Sequence, residues 1–307
     1  MLGVAVGDAL GVPVEFIPRQ ELCKKPVKDM TGYGSHNQPP GTWSDDTSLT
    51  LCLVESLCEA GYDLIDAGKR FIKWYREGYW TPFGKVFDIG NLTRQAILRL
   101  ECGIDPVLAG PTVERSNGNG SLMRILPASL YFAGSEDRVM IDAVCKISCL
   151  THGHPRSQLG CILYSLLVQE LLKGNSPISA YQDMIKRIQK ISEETVLADE
   201  LTNYIRILDG SLPGLAEKEI RSDGYVVSTL EAAIWCLLNN TDFLGTVLAA
   251  VNLGVDSDTT GAVAGGLAGI YYGFSSIPQK WLGKLACIEE IMVLGKRFAS
   301  VTEKKIF

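Results

Sequence analysis

The sequence predicts an all-α protein folded as a single compact, orthogonal helical domain. Three observations predict it. Apolar residues recur with a helical rather than an alternating period along most of the chain. Gly or Pro stands at nearly every junction between these runs, as helix ends require. Few segments read as strands, and no fixed-period repeat, low-complexity tract or long linker divides the chain, so residues 1–307 are expected to form one domain.

The opening run, VAVGDALGVPVEF, places Gly3, Gly7 and Gly11 one helical turn apart. That spacing suits a helix packed closely on another; it is not a phosphate loop, because no Gly-Lys-Ser/Thr follows. The run is apolar enough to suggest a secretion signal, but it lacks a basic leader and carries Asp8 in its middle. Next, TSLTLCLVESLCEAG repeats Leu49, Leu53 and Leu57 along one helix face, and Gly61 supplies the stop. Asp63 is placed to cap LIDAGKRFIKWYREG, with Ile65, Phe71 and Trp74 expected to face inward. NLTRQAILRLECG, SEDRVMIDAVCKISCLTHG, RSQLGCILYSLLVQELLKG and YQDMIKRIQKISEE read as further helices. So do VVSTLEAAIWCLLNN, DFLGTVLAAVNLG, DTTGAVAGGLAGIYYGF and KLACIEEIMVLGKRF. Residues 84–120 mix polar and Gly-rich stretches and are expected to form surface or site.

Composition narrows the function classes. Hydrophobic residues make up 46% of the chain and charged residues 21%, the balance of a soluble globular protein that builds its core without disulfides. A net charge of -6 argues against a nucleic-acid phosphate backbone as the main partner. The nine cysteines form no regular framework and lie mostly in apolar segments, which fits reduced thiols and a cytoplasmic location. The least polar stretch, residues 260–274, is shorter than the roughly 20 residues a membrane span needs.

Four loops carry more chemistry than helix termini require. In GTWSDDTSLT, Asp45 and Asp46 have the composition of an N-cap and its macrodipole partner, yet with Ser44 and Thr47 they also supply the clustered oxygens that hard divalent cations take. In GVDSDTTGAVAGGLAG, Asp256 and Asp258 flank a hydroxyl before Thr259 and Thr260, which reads either as a capped, tightly packed helix or as a second half of the same site. Together the loops offer four carboxylates, and the whole chain has three histidines, so all-oxygen ligation of Mg²⁺ or Mn²⁺ is favoured over Zn²⁺. Two ions would offset the concentrated negative charge. Glu15, beside Pro13 and Phe16, is either an exposed glutamate after a helix end or a carboxyl raised by an apolar setting and suited to proton transfer. In SNGNGSLMRILP, residues 117–120 precede a helix expected near Ser121, whose N-terminal N–H groups would suit a diphosphate; a plain Asn-Gly turn has the same composition.

The order of these motifs carries a resemblance. GDALGVPVEF, WSDDT, FDIGNLT, NGNGSLMR, LTHGHP, GYVVSTLEAAIW and GVDSDTTGAVAGGLAG follow one another over residues 2–273. The succession resembles the ADP-ribosylglycohydrolase family, especially its branch of dinitrogenase-reductase-activating glycohydrolases and ADP-ribosylarginine hydrolases. The resemblance implies a compact all-α domain with a dinuclear metal centre. By motif, Ser44, Asp45 and Asp46 would form one half of the metal site, and Asp256, Asp258 and Thr259 the other. Glu15 would lie near the scissile bond, and Asp88 would face the leaving group. Gly118, Asn119, Gly120, Ser121 and Met123 would form the phosphate and ribose loop, with His152 and Tyr225 helping to hold ADP-ribose. Ser44 stands where the family more usually has threonine.

The implied reaction is hydrolysis of the bond between the anomeric carbon of ADP-ribose and a side chain of a modified protein, or a small ADP-ribose conjugate, with two Mg²⁺ or Mn²⁺ ions. Glu15 or Asp46 would act as base. The carboxylate of Asp88 favours a guanidinium leaving group, hence an arginine linkage. Other readings are a serine or O-acetyl linkage, a two-metal phosphohydrolase, or a non-catalytic ADP-ribose binder or crystallin-like structural protein. Neither nucleic acid nor a membrane is an expected partner.

Overall fold

A computed structural model describes residues 1–192 and 197–306. The α-helices of six residues or more, in chain order, are α1 (Leu2–Gly11), α2 (Asp45–Glu59), α3 (Leu64–Glu77), α4 (Asn91–Glu101), α5 (Leu126–Tyr131) and α6 (Asp137–Cys149). They continue with α7 (Pro155–Leu172), α8 (Pro177–Ser192), α9 (Val226–Leu238), α10 (Phe243–Asn252), α11 (Ser257–Tyr272) and α12 (Ile288–Ile306). Among the described residues extended pairing is confined to two isolated bridges, Tyr33–Gln38 and Gly118–Tyr225. The expected all-α class is therefore the observed one. The end of YQDMIKRIQKISEE, residues 193–194, lies outside the described residues.

One contiguous hydrophobic core runs through all of these helices, with Trp43, Trp74 and Trp281 fully buried in it. Its centre is the crossing of α1 and α11. A β-carbon at Gly7 would lie 2.0 Å from the Gly261 carbonyl oxygen, and one at Gly3 would lie 2.1 Å from that of Gly265. Only glycine on both helices lets the backbones meet so closely. The predicted glycine spacing of α1 thus finds its partner in the small residues of α11. At the end of the crossing, Gly11 sits against the backbone of Ser257 and Asp258, so the packing delivers the C-terminal end of α1 to the N-terminal end of α11.

Local rules explain most boundaries. Asp63 caps α3, accepting hydrogen bonds from the Ile65 and Asp66 N–H groups. Ile65 itself is a correction: it is 60% exposed, because the buried stripe runs through Ala67, Phe71 and Trp74, and two residues before Ala67 lies on the opposite face. The helix expected near Ser121 is a second correction. Residues 121–124 are a turn and the helix starts at Leu126, since Pro127 has no N–H with which to bond the Met123 carbonyl. The last helix starts at Ile288 rather than at Lys284. Among the described residues no helix is long and apolar enough to cross a membrane.

Candidate functional site

The N-termini of α2 and α11 converge on the mouth of the α1–α11 crossing. Ser44 is the N-cap of α2; its hydroxyl accepts from the Asp46 N–H and lies 3.1 Å from Asp46 Oδ2. Two further N–H groups of this terminus are satisfied from another helix. Asp8 of α1 accepts from the backbone of Ser44 at 2.9 Å, from the backbone of Thr47 at 3.0 Å and from the Thr47 hydroxyl at 2.6 Å. A buried carboxylate thus meets the positive end of α2. Asp45 and Asp46 are released from capping.

The second terminus is arranged in the same sense. Asp256 stands at the N-cap of α11 but makes no side-chain cap; its Oδ2 instead accepts from Asn119 Nδ2 at 2.6 Å. Asp258 accepts from the Thr259 N–H at 2.9 Å, and the Thr259 hydroxyl donates to Asp46 Oδ2 at 3.2 Å. A capping role therefore does not account for the aspartates of either loop.

Oxygens of Asp8, Asp46 and Asp258 lie within 4.8 Å of one another, as do those of Glu15, Asp256 and Asp258. Burial raises the carboxyls of Asp45, Asp46 and Asp258 far above the ordinary carboxylate range, and repulsion from the neighbouring acids adds to it. Asp256 is raised by the same burial. Asp46 Oδ1 and Asp258 Oδ2 are buried with no hydrogen-bond partner. Orphaned acceptors on mutually repelling, buried carboxylates are costly unless a cation satisfies them, so the donor set fits hard divalent metal.

Above this acidic floor opens a cleft of ≈ 480 Å³, the size of a site for a small organic ligand. Glu15, Asp45, Asp88, Asp256 and Thr259 line one part of it; Gly118, Asn119, Gly120, Met123 and His152 line another. Ser44, Asp46 and Asp258 are buried just behind that wall. Two expected residues fall elsewhere. Ser121 is fully buried, accepting a hydrogen bond from the Ser148 hydroxyl, and Tyr225 pairs with Gly118 without lining the cleft. The loop at 117–120 is held by backbone pairing, Asn119 N–H to the Gly224 carbonyl and Val226 N–H to the Asn117 carbonyl. From below, the buried Arg124 guanidinium grips the Gly120 and Ile147 carbonyls. His152 packs under Gly120, where a β-carbon would meet its ring at 2.7 Å. Burial holds the His152 imidazole down at about 3, so it is neutral.

Glu15 is buried and its carboxyl is pushed up to about 7, by burial first. Asp88 occupies a left-handed backbone conformation with φ of 48°, uncommon for a non-glycine residue and a place where strain is stored. Sequence reasoning passed over two residues of this neighbourhood. Asp8 carried a signal, a lone carboxylate inside an otherwise apolar helix. His36, which bonds Glu15, sits in a Gly- and Pro-rich turn whose composition says nothing of where its side chains point.

Comparison with known proteins gives the family and the fold. The sequence pattern of the ADP-ribosylglycohydrolase family matches residues 1–306. An ADP-ribosylarginine hydrolase Tri1 of Serratia proteamaculans is 35% identical over 100% of this chain and 80% of its own length. The ADP-ribosyl-[dinitrogen reductase] glycohydrolase of Rhodospirillum rubrum is 32% identical over 92% of this chain and 88% of its own. A solved structure described as an ADP-ribosylglycohydrolase-related protein complex superposes with a TM-score of 0.82 at 34% identity, covering 98% of this chain and 95% of that one. With the match running from α1 to α12 and through both acidic helix termini, the chain belongs to the ADP-ribosylglycohydrolase family.

Proposed function

We propose that this chain removes ADP-ribose from arginine side chains of modified proteins by hydrolysing the glycosidic bond, and that it requires two Mg²⁺ or Mn²⁺ ions. The observation that carries this reading is the meeting of two acidic helix termini, from opposite parts of the sequence, at the floor of one ligand-sized cleft. The names of the relatives support the arginine linkage. Nine free cysteines suit a cytoplasmic setting.

Asp46, Asp256 and Asp258, with Ser44, Asp45 and Thr259, are the residues that would hold the ions. Bound there, divalent metal supplies Lewis acidity and lowers the pKa of water at the site. The chain's own residues do the rest. Backbone N–H groups of Gly118 and Gly120 orient the diphosphate and ribose, so that binding energy remote from the bond goes into positioning. Asn119, whose N–H and amide are committed to Gly224, Thr229 and Asp256, holds that loop in place. Glu15, raised by burial, accepts a proton from the attacking water near neutral pH. The water oxygen joins the anomeric carbon, the carbon–nitrogen bond breaks, and the proton passes to the departing guanidine nitrogen. The carboxylates around the cleft stabilise the positive charge that develops on the sugar. Asp88 faces the leaving guanidinium and pairs with it.

The test is release of free ADP-ribose from an arginine-ADP-ribosylated protein, with and without added Mg²⁺ or Mn²⁺, beside an Asp256→Ala control. Metal-dependent release that the substitution abolishes supports the reading. AMP as the product would replace it with phosphoester chemistry, and tight ADP-ribose binding without turnover on any linkage would replace it with a binding protein.

A further inference from the structure

Of the three histidines, His36 is the one that touches Glu15. His36 lies in a tight turn over residues 33–38, closed by a hydrogen bond from the Tyr33 N–H to the Gln38 carbonyl at 2.5 Å. The turn is pressed onto the segment that carries Glu15. Gly34, at φ of +48°, leaves no room for a β-carbon, which would sit 1.9 Å from the Pro13 carbonyl oxygen. The Ser35 hydroxyl donates to the Glu15 carbonyl at 2.5 Å. His36 Nε2 bonds the Glu15 carboxylate, and its ring lies between Phe16 and Phe87, with centroids 5.7 and 5.3 Å away.

A second tie meets the same segment from the opposite side. Phe16 N–H donates to the Val255 carbonyl at 2.6 Å, and Val255 N–H donates to the Ile17 carbonyl at 2.9 Å. Phe16 and Val255 both hold left-handed backbone conformations, with φ of 64° and 62°. This reciprocal clamp joins the backbone after Glu15 to the residue before Asp256. The main chain around Glu15 is thereby fixed, while its carboxylate has like charges of Asp88 and Asp256 as neighbours. Left alone, repulsion would turn that side chain away from the acidic floor. The bond from His36 opposes this.

We infer that His36 is a positioning residue: the 33–38 turn is a cradle whose imidazole sets the rotamer of Glu15 and aims its carboxylate into the cleft. His36 itself need not touch substrate. The inference rests on the proposed role of Glu15, and it assigns the turn, rather than the metal centre, the task of presenting the base.

The test is a double-mutant cycle between His36→Ala and Glu15→Gln, with ADP-ribose release as the assay and calorimetric ADP-ribose binding beside it. If His36 acts through Glu15, His36→Ala lowers kcat by roughly 10–100-fold, as a misaimed group does. KM and ADP-ribose affinity stay close to wild type, and the substitution adds no further loss in the Glu15→Gln background. His36→Gln, which keeps an N–H donor, recovers part of the lost kcat. An unchanged kcat in a folded His36→Ala protein overturns the inference, and so does an equal loss in both backgrounds. Failure of the underlying reading is distinct from either, because wild-type protein would then release no ADP-ribose.

Discussion

Thr259 donates its hydroxyl to the Asp46 carboxylate across 3.2 Å, joining residues 213 positions apart at the floor of the cleft. With the Ser44 hydroxyl on the same oxygen, this bond leaves Asp46 Oδ1 unpartnered and available to a cation. Thr259→Val keeps the shape and removes the hydroxyl. It is expected to weaken Mn²⁺ or Mg²⁺ affinity by about 10–100-fold, the usual cost of losing a group that orients or ligates metal. Titration calorimetry with either metal alone measures it, and unchanged affinity would place the ions elsewhere.

Charge removal at the same place has an opposite effect on the metal-free protein. Asp46 is buried among carboxylates that repel it, so Asp46→Asn relieves repulsion while keeping the volume. The variant should unfold at the same temperature as wild type or higher without metal, and should lose the rise in Tm that metal gives the wild type. Differential scanning calorimetry with and without Mn²⁺ checks both halves.

The raised carboxyls also set a pH dependence. Asp8 is raised to about 6 and Glu15 to about 7, both by burial first. Between the ordinary carboxylate range near 4 and these values, the folded chain binds more protons than the unfolded one, so stability falls as pH rises. Metal-free protein is expected to have a higher Tm at pH 5 than at pH 7.5. Metal bound beside these two carboxyls favours their charged forms and releases those protons, so its stabilising shift should grow over the same interval. A metal-induced shift that is independent of pH would contradict the assignment of these acids to one site.

The glycine crossing makes a prediction about stability alone. Gly7→Ala forces a methyl group onto the Gly261 carbonyl and must push α1 and α11 apart. Overpacking of this kind costs roughly 1–3 kcal/mol or more, readable in urea denaturation. Gly295 of α12 has nothing within 4 Å of a built β-carbon, so Gly295→Ala should instead add about 0.5–1 kcal/mol.

The role proposed for Asp88 predicts a difference between linkages. Asp88→Asn should slow release from an arginine-linked substrate more than from a serine-linked one, because only the guanidinium loses a charge partner. Parallel assays on the two substrates decide it, and equal effects would remove Asp88 from leaving-group recognition.

How much of this was legible in the sequence depended on the distance between cause and effect. Asp63 was readable as a cap because its partners, Ile65 and Asp66, are its neighbours. Leu49, Leu53 and Leu57 showed their face through period alone, and all three are buried. The glycines of α1 announced a close partner without naming it. The aspartate pairs drew attention because each is dense in one loop, but their convergence is a tertiary fact. Asp8 stood out as a lone carboxylate in an apolar helix, but its purpose was hidden for that reason: it serves Ser44 and Thr47, 36 and 39 residues away. At Ser121 the local signal misled, since Asn-Gly composition and a following apolar run resemble a helix start, and Pro127 decided otherwise.

The α1–α11 crossing also governs how the chain comes to be made. Gly7 meets Gly261, so during synthesis α1 leaves the ribosome some 250 residues ahead of the surface that covers it. At the pace of translation that interval is on the order of 10–50 s. Through it, an apolar helix whose residues from Gly3 to Gly11 are all buried in the finished fold has no mate. The contact at the centre of the fold therefore cannot form until α11 emerges, and until then the apolar surface of α1 is exposed unless something else covers it.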